Sequence, residues 1–207
     1  DIAFYVGATA KNADDLGRLE RLPGCCGVKL FMGSSTGDLL VADDANVARV
    51  LKGGRRRMAV HAEDDARLTA RKAAITTGAH VRVHPEWRDV ETALKATQKL
   101  LALARQTKRP VHVLHVTTAE EALLLARHKD VASMEVTPQH LTLAAPDCYD
   151  RLGTLAQMNP PIRDTSHREA LWRAIHDGTV DVIGSDHAPR MRAEKDRKYP
   201  DTPSGMP

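Results

Sequence analysis

Aromatic side chains are scarce in this 207-residue chain, at 3%. So few rings offer no platform for stacking bases, and nucleic acid is not an expected partner. Cysteine is scarce as well, with Cys25, Cys26 and Cys148 as the whole supply. Three is an odd number and adjacent cysteines rarely bridge, so no disulfide framework is implied. A reducing, cytoplasmic location fits that usage. No apolar run approaches the ~20 residues of a membrane span, so no membrane partner is expected. Neither sign of charge dominates, with Lys+Arg 30 against Asp+Glu 27 and a net +3. The densest basic cluster, Arg55 to Arg57, reads as a solvated loop before a strand. Neither G-x-G-x-x-G nor G-x-x-x-x-G-K-[ST] occurs, so the nucleotide-binding fingerprints are missing. The start shows no basic n-region and no apolar h-region, hence no visible secretory signal. The chain opens abruptly at Asp-Ile-Ala-Phe-Tyr and stops abruptly at Ser-Gly-Met-Pro, which reads as two cuts.

What is present is ordinary globular material, 42% hydrophobic and 28% charged, with ten His as the count that stands out. The length suits one domain or a small pair. Short apolar, β-branched runs read as strands at 2–8, 27–32, 57–61, 110–116, 132–137 and 180–185. Helices are expected between them. Asn12 is a candidate cap for a helix to Leu22, stopped by Pro23-Gly24. Further helices are expected at 43–51, 64–77, 89–107 and 166–177, the last closed by Gly178. Thr118 and Glu121 form a T-x-x-E capping box for a helix to about Lys129. A loop Gly33-Ser34-Ser35-Thr36-Gly37 follows the second strand, and the tail from Asp186 to Pro207 reads as a long loop. Alternating strands and helices imply an α/β fold with a parallel sheet. The two candidates are a doubly wound sheet and a (β/α)8 barrel.

The polar residues worth weighing fall at the C-terminal ends of these strands, which in a barrel form the active-site face. Lys29 lies within an apolar strand, where burying an ammonium is costly; a strand-end Lys reaching back to water is the plain alternative. His61 closes the third strand and reads equally as a hydrogen-bonded core His. His112 and His115 are three apart, so on one strand they point to opposite faces, and at most one faces a barrel interior. Asp186, in S-D-H-A-P, reads as a metal-site acid or a turn acid. Lys, His, His and Asp converging would suit Zn2+. A buried Lys has a depressed pKa, and its free amine can take up carbon dioxide as a carbamate. His80, His84, His128, His167 and His176 read as surface residues.

In order, the segments FYVGAT, GVKLFMGSSTG, HAED, HVLHVTT, EVTPQHL, MNPPIR, GSDHAP and YPDTPSGMP resemble the amidohydrolase superfamily, and within it dihydroorotase. The resemblance runs over essentially the whole chain. It implies a (β/α)8 TIM-barrel metallohydrolase of which residues 1–207 supply about six βα units, the third to the eighth. It implies two Zn2+ bridged by a carboxylated Lys29, with His61 and His115 as ligands of one metal and Asp186 as ligand of the other and proton shuttle. Asn159, Ser204 and Gly205 match substrate-binding positions; His112 matches no ligand. The implied activity interconverts dihydroorotate and N-carbamoyl-aspartate in pyrimidine biosynthesis, in a cytoplasmic homo-oligomer.

Two departures matter. The family's His-x-His-x-Arg signature is missing and nothing replaces it, so the chain as written is expected to hold metal poorly and not to turn over substrate. Where dihydroorotases read D-H-A-P-H, this chain has Arg190, which suits a substrate carboxylate as a bidentate donor or marks a different substrate. The neighbouring alternatives are a hydantoinase/dihydropyrimidinase or an allantoinase, and a different class is a non-catalytic barrel homologue.

Overall fold

A computed structural model describes residues 2–34 and 39–207; the part of the expected loop from Ser35 to Gly37 lies outside them. Among the described residues six strands form: β1 Phe4–Gly7, β2 Cys25–Phe31, β3 Met58–His61, β4 Val111–Val113, β5 Ala132–Val136 and β6 Val182–Ile183. All neighbours are parallel and their order in the sheet is that of the sequence. A doubly wound sheet reverses direction at a switch point; this one does not.

The register shows which face each residue takes. Lys29 pairs with Ala59, Ala59 with His112 and His112 with Ser133, so these four share one face. Val28, Leu30, Met58, Val60, Val111, Val113, Met134 and Val136 alternate with them and form the main apolar core. That is the period-2 pattern of a strand. The sheet is rolled. Laid flat at about 4.8 Å per strand, β2 and β6 would stand about 19 Å apart. Yet Lys29 of β2 and Asp186, just past β6, line one small cavity. The inner face is therefore the inside of a barrel wall. Its two edges are apolar and open, with Phe4 70% exposed on β1 and Ile183 59% exposed on β6.

Crossover helices start where short polar side chains accept backbone N–H groups. Asp43, Asp64, Asp89, Thr118 and Asp164 each cap a helix in this way, satisfying donors that helix starts leave free. At the predicted capping box, Thr118 accepts from the Glu121 N–H and its hydroxyl donates back to the Glu121 carboxylate. The helix ends earlier than expected, at Ala126. The expected helix from Asn12 is broken into a 3-10 turn, Ala13–Asp15, and one short turn, Leu16–Leu19. Asn12 is no cap because its amide is spent on Thr9 N and Gly7 O. The tail is not all loop: a turn of helix forms at Arg192–Lys195 and buries Lys195.

The parity argument for His112 and His115 fails. β4 stops at Val113, and His115 lies beyond it with φ +39°. Strand alternation no longer applies there. His112 faces the barrel interior, bonded to Ser133 Oγ at 2.7 Å, and His115 turns inward as well, one level nearer the mouth. His84 and His167, expected at the surface, are buried.

Candidate metal centre

Lys29 sits in the middle of the inner face with its Nζ 4.5 Å from the centre of the Phe31 ring. Burial pulls its ammonium down to about 8, against the opposing pull of Asp186 and Glu135. A free amine is thus accessible near neutrality. His61 ends β3 and is buried. Its Nε2 lies 2.8 Å from Glu63 Oε2, and its Nδ1 lies 3.1 Å from His115 Nε2.

Glu63 explains why His61 points this way. It is fully buried two residues on, and Arg88 Nε donates to both of its oxygens at 3.1 Å. Burial raises the Glu63 carboxyl, but Arg88 and His61 outweigh it and hold the group well below the usual range. An ionised carboxylate claims the Nε2 proton, so the His61 Nδ1 lone pair is directed at His115. This is how an outer carboxylate fixes the tautomer of a ligating His. Desolvation lowers the pKa of both rings, so both are neutral.

His115 is pinned from the other side. Its backbone N–H donates to Glu135 Oε1 at 3.2 Å. Its Nδ1 is buried without a partner among the described residues. Asp186 shares the left-handed backbone, with φ +45°. The residue is open to solvent on one side, while its carboxylate faces inward. Desolvation, helped by Glu135 and opposed by Lys29, pushes that carboxyl up to about 6.

These groups meet in a cavity of about 100 Å³ lined by Lys29, Phe31, His61, His115, Asn159, Asp186, Ala188, Ser204 and Gly205. All but one of the residues expected at the site line this cavity. The exception is Arg190, which is exposed and donates through Nε to Ser204 O at 3.3 Å. Asn159 Oδ1 faces His84 Nε2 at 3.0 Å and accepts from Ser204 Oγ at 3.1 Å. With the oxygen engaged, its amide N–H2 is the end left for a ligand.

Among the described residues no three His, Cys, Asp or Glu side chains are gathered closely enough to hold a metal ion by themselves, but two nitrogens are spaced for one. Two imidazole nitrogens on one zinc at about 2.05 Å and a tetrahedral angle stand about 3.4 Å apart; here they stand 3.1 Å apart. Without a cation the two neutral rings share an N–H···N hydrogen bond, the His115 Nε2–H donating to the His61 Nδ1 lone pair; a metal ion would replace that proton. Lys29 as a carbamate and Asp186 would add anionic oxygens from the same cavity.

Several partners escaped the sequence reading. Glu63 was within reach of it, since a carboxylate two residues after a candidate ligand His is an outer-sphere signature. Arg88, Glu135 and His84 carried no such signal, because their contacts cross between distant segments.

No family model matches the chain. A dihydroorotase of Methanosarcina acetivorans is 30% identical over 97% of this chain and 45% of its own length. One of Halobacterium salinarum is 34% identical over 86% and 42%, and an allantoinase of Deinococcus radiodurans 31% over 91% and 44%. Among solved structures, the L-hydantoinase (dihydropyrimidinase) of Arthrobacter aurescens superposes with TM-score 0.90 at 23% identity, covering 99% of this chain and 48% of that one. The dihydropyrimidinase of Brevibacillus agri NCHU1002 gives 0.84 at 25%, covering 100% and 48%. The chain spans about half the length of the relatives it matches.

Proposed function

The chain belongs to the cyclic amidohydrolases that include the dihydroorotases, and from that premise we propose that it forms most of the zinc site of a cytoplasmic dihydroorotase. The reaction is the interconversion of dihydroorotate and N-carbamoyl-aspartate. The observation that carries the reading is the pair of buried, neutral rings of His61 and His115, facing each other in a cavity they share with Lys29 and Asp186. His61 and His115 would hold one zinc ion and Asp186 the other, and Lys29, as its carbamate, would offer anionic oxygens to both.

When bound, the two ions acidify a water and polarise the scissile carbonyl. The protein's own groups do the rest. Glu63 keeps His61 in the tautomer that leaves Nδ1 free. Asp186 takes the proton of the attacking water as general base and returns it to the departing ring nitrogen as general acid. Asn159, Ser204 and the backbone at Gly205 orient the substrate amide, and Arg190 meets the free carboxylate at the rim.

A second reading, allantoinase or hydantoinase, is favoured by Arg190 standing where dihydroorotases carry His, and by the allantoinase relative. The test is an assay of the full-length, zinc-loaded protein on dihydroorotate, allantoin and hydantoin, with metal analysis alongside. Turnover of dihydroorotate above the other two is expected. Preference for either of those transfers the assignment; metal-free, inactive protein leaves the non-catalytic barrel.

A further inference from the structure

Lys195 is 3% exposed, at the end of the short helix in the tail. Its Nζ donates to three backbone carbonyls: Gln157 O at 3.0 Å, Pro203 O at 3.1 Å and Gly205 O at 3.0 Å. An ammonium has three donors and no acceptor, so its capacity is filled by carbonyl dipoles. The acceptors belong to the two segments that carry the substrate contacts. Gln157 lies two residues before Asn159, and Pro203 and Gly205 flank Ser204.

Other bonds run between the same segments. Gly205 N–H donates to Gln157 O at 3.0 Å. Gln157 Nε2 donates to Thr202 O at 2.8 Å and Ser204 Oγ at 3.1 Å. On the far side the strap is packed closely. Gly205 has φ +132°, and a Cβ there would come within 2.5 Å of Ala188 O. Ala188 N–H in turn donates to Met206 O at 2.8 Å. Each neutral bond contributes little alone; the ammonium ties three acceptors to one point.

We propose that Lys195 is a positioning residue for substrate binding. It locks the strap 203–205 onto the segment 157–159, so that Asn159, Ser204 and the Gly205 backbone present one fixed set of donors and acceptors to the cyclic amide. This rests on the cyclic-amide reading above. Neither Met nor Leu can replace the three bonds, and a Gln amide supplies at most two donors.

The test uses the full-length, zinc-loaded protein and its Lys195→Met and Lys195→Gln variants. Zinc content is expected to stay unchanged. KM for dihydroorotate should rise about tenfold or more in Lys195→Met, as expected for losing hydrogen bonds to a charged group, while kcat moves less. Lys195→Gln should fall between. Hydrogen exchange of the Gly205 amide should accelerate about tenfold or more in Lys195→Met as the strap opens locally. A purely structural tie would lower Tm and leave KM alone, and that result overturns the proposal. So does unchanged Gly205 exchange in either variant. If Lys195→Met does not fold, Lys195→Gln supplies both readouts. If the wild type turns over no cyclic amide, the proposed function fails by itself, while the exchange measurement still decides whether Lys195 holds the strap.

Discussion

The carboxylate of Glu135 occupies the space that a side chain at Gly184 would need. The two residues lie on neighbouring runs of chain, where Gly184 N–H donates to Val136 O at 3.0 Å. From that position Glu135 accepts the His115 N–H and comes within 3.5 Å of His112 Nε2. The absence of one side chain thus lets a carboxylate reach the turn that aims a metal-facing His.

Gly184→Ala is expected to destabilise the fold by about 1–3 kcal/mol through overpacking and to weaken zinc binding, because Glu135 must leave His115. Urea denaturation and zinc titration check it. A wild-type midpoint together with wild-type zinc affinity would show that Glu135 has other room.

Lys29→Ala should abolish bound zinc while the fold persists, read by metal analysis and circular dichroism. Zinc uptake by the wild type in bicarbonate should also depend on pH. Carbamate forms on the free amine, whose fraction grows as pH rises through about 8. Reconstitution is therefore expected to be poorer below that value and better above it. Full zinc occupancy in Lys29→Ala would end its bridging role.

Asp186→Asn should lose hydrolytic turnover by a factor of about 10² or more, the scale of general acid–base catalysis, with zinc still held at the His61–His115 side. The hydrolytic kcat of the wild type should fall in acid, because the base must be ionised. Variant turnover near the wild-type rate would remove the proton-shuttle role.

Glu63→Gln should cost about 3–5 kcal/mol, the scale for breaking a buried charge pair and stranding its partner, here Arg88. The sign of the pH effect follows from the depressed carboxyl. Its stabilisation is complete above its ordinary value of 4.5 and is lost progressively as the pH falls below it. The gap between wild type and variant should therefore narrow in acid. A gap that is constant down to about pH 3 would mean that Glu63 titrates like an exposed Glu.

The sheet and most helix starts were legible because they rest on local chemistry. Alternating Val28, Lys29 and Leu30 mark a strand with one polar face, and Asp43, Asp89 and Thr118 sit where helix N–H groups need acceptors. The residues that line the cavity were legible because they fall at strand ends in a recognisable order. What failed depended on where a strand stops. β4 ends at Val113, three residues earlier than expected, so His115 turns to the same side as His112, and no periodicity reports that. His84 was misplaced for a similar reason. It opens a polar helix, and its burial comes from Tyr199 and Asn159, more than seventy positions away along the chain. Lys195 was hidden by a charged tail whose composition reads as solvated.

Among the described residues, non-glycine residues with positive φ are Lys108, His115 and Asp186. Two of the three line the cavity they share with Lys29 and His61. Left-handed backbone costs an L-residue roughly 1–2 kcal/mol, and that cost is present before any cation arrives. Glycine at either position would relieve the strain and remove the ligand. Backbone ease and the proposed metal site thus favour different residues at these two positions. A redesign guided by backbone ease alone would begin by erasing the proposed site.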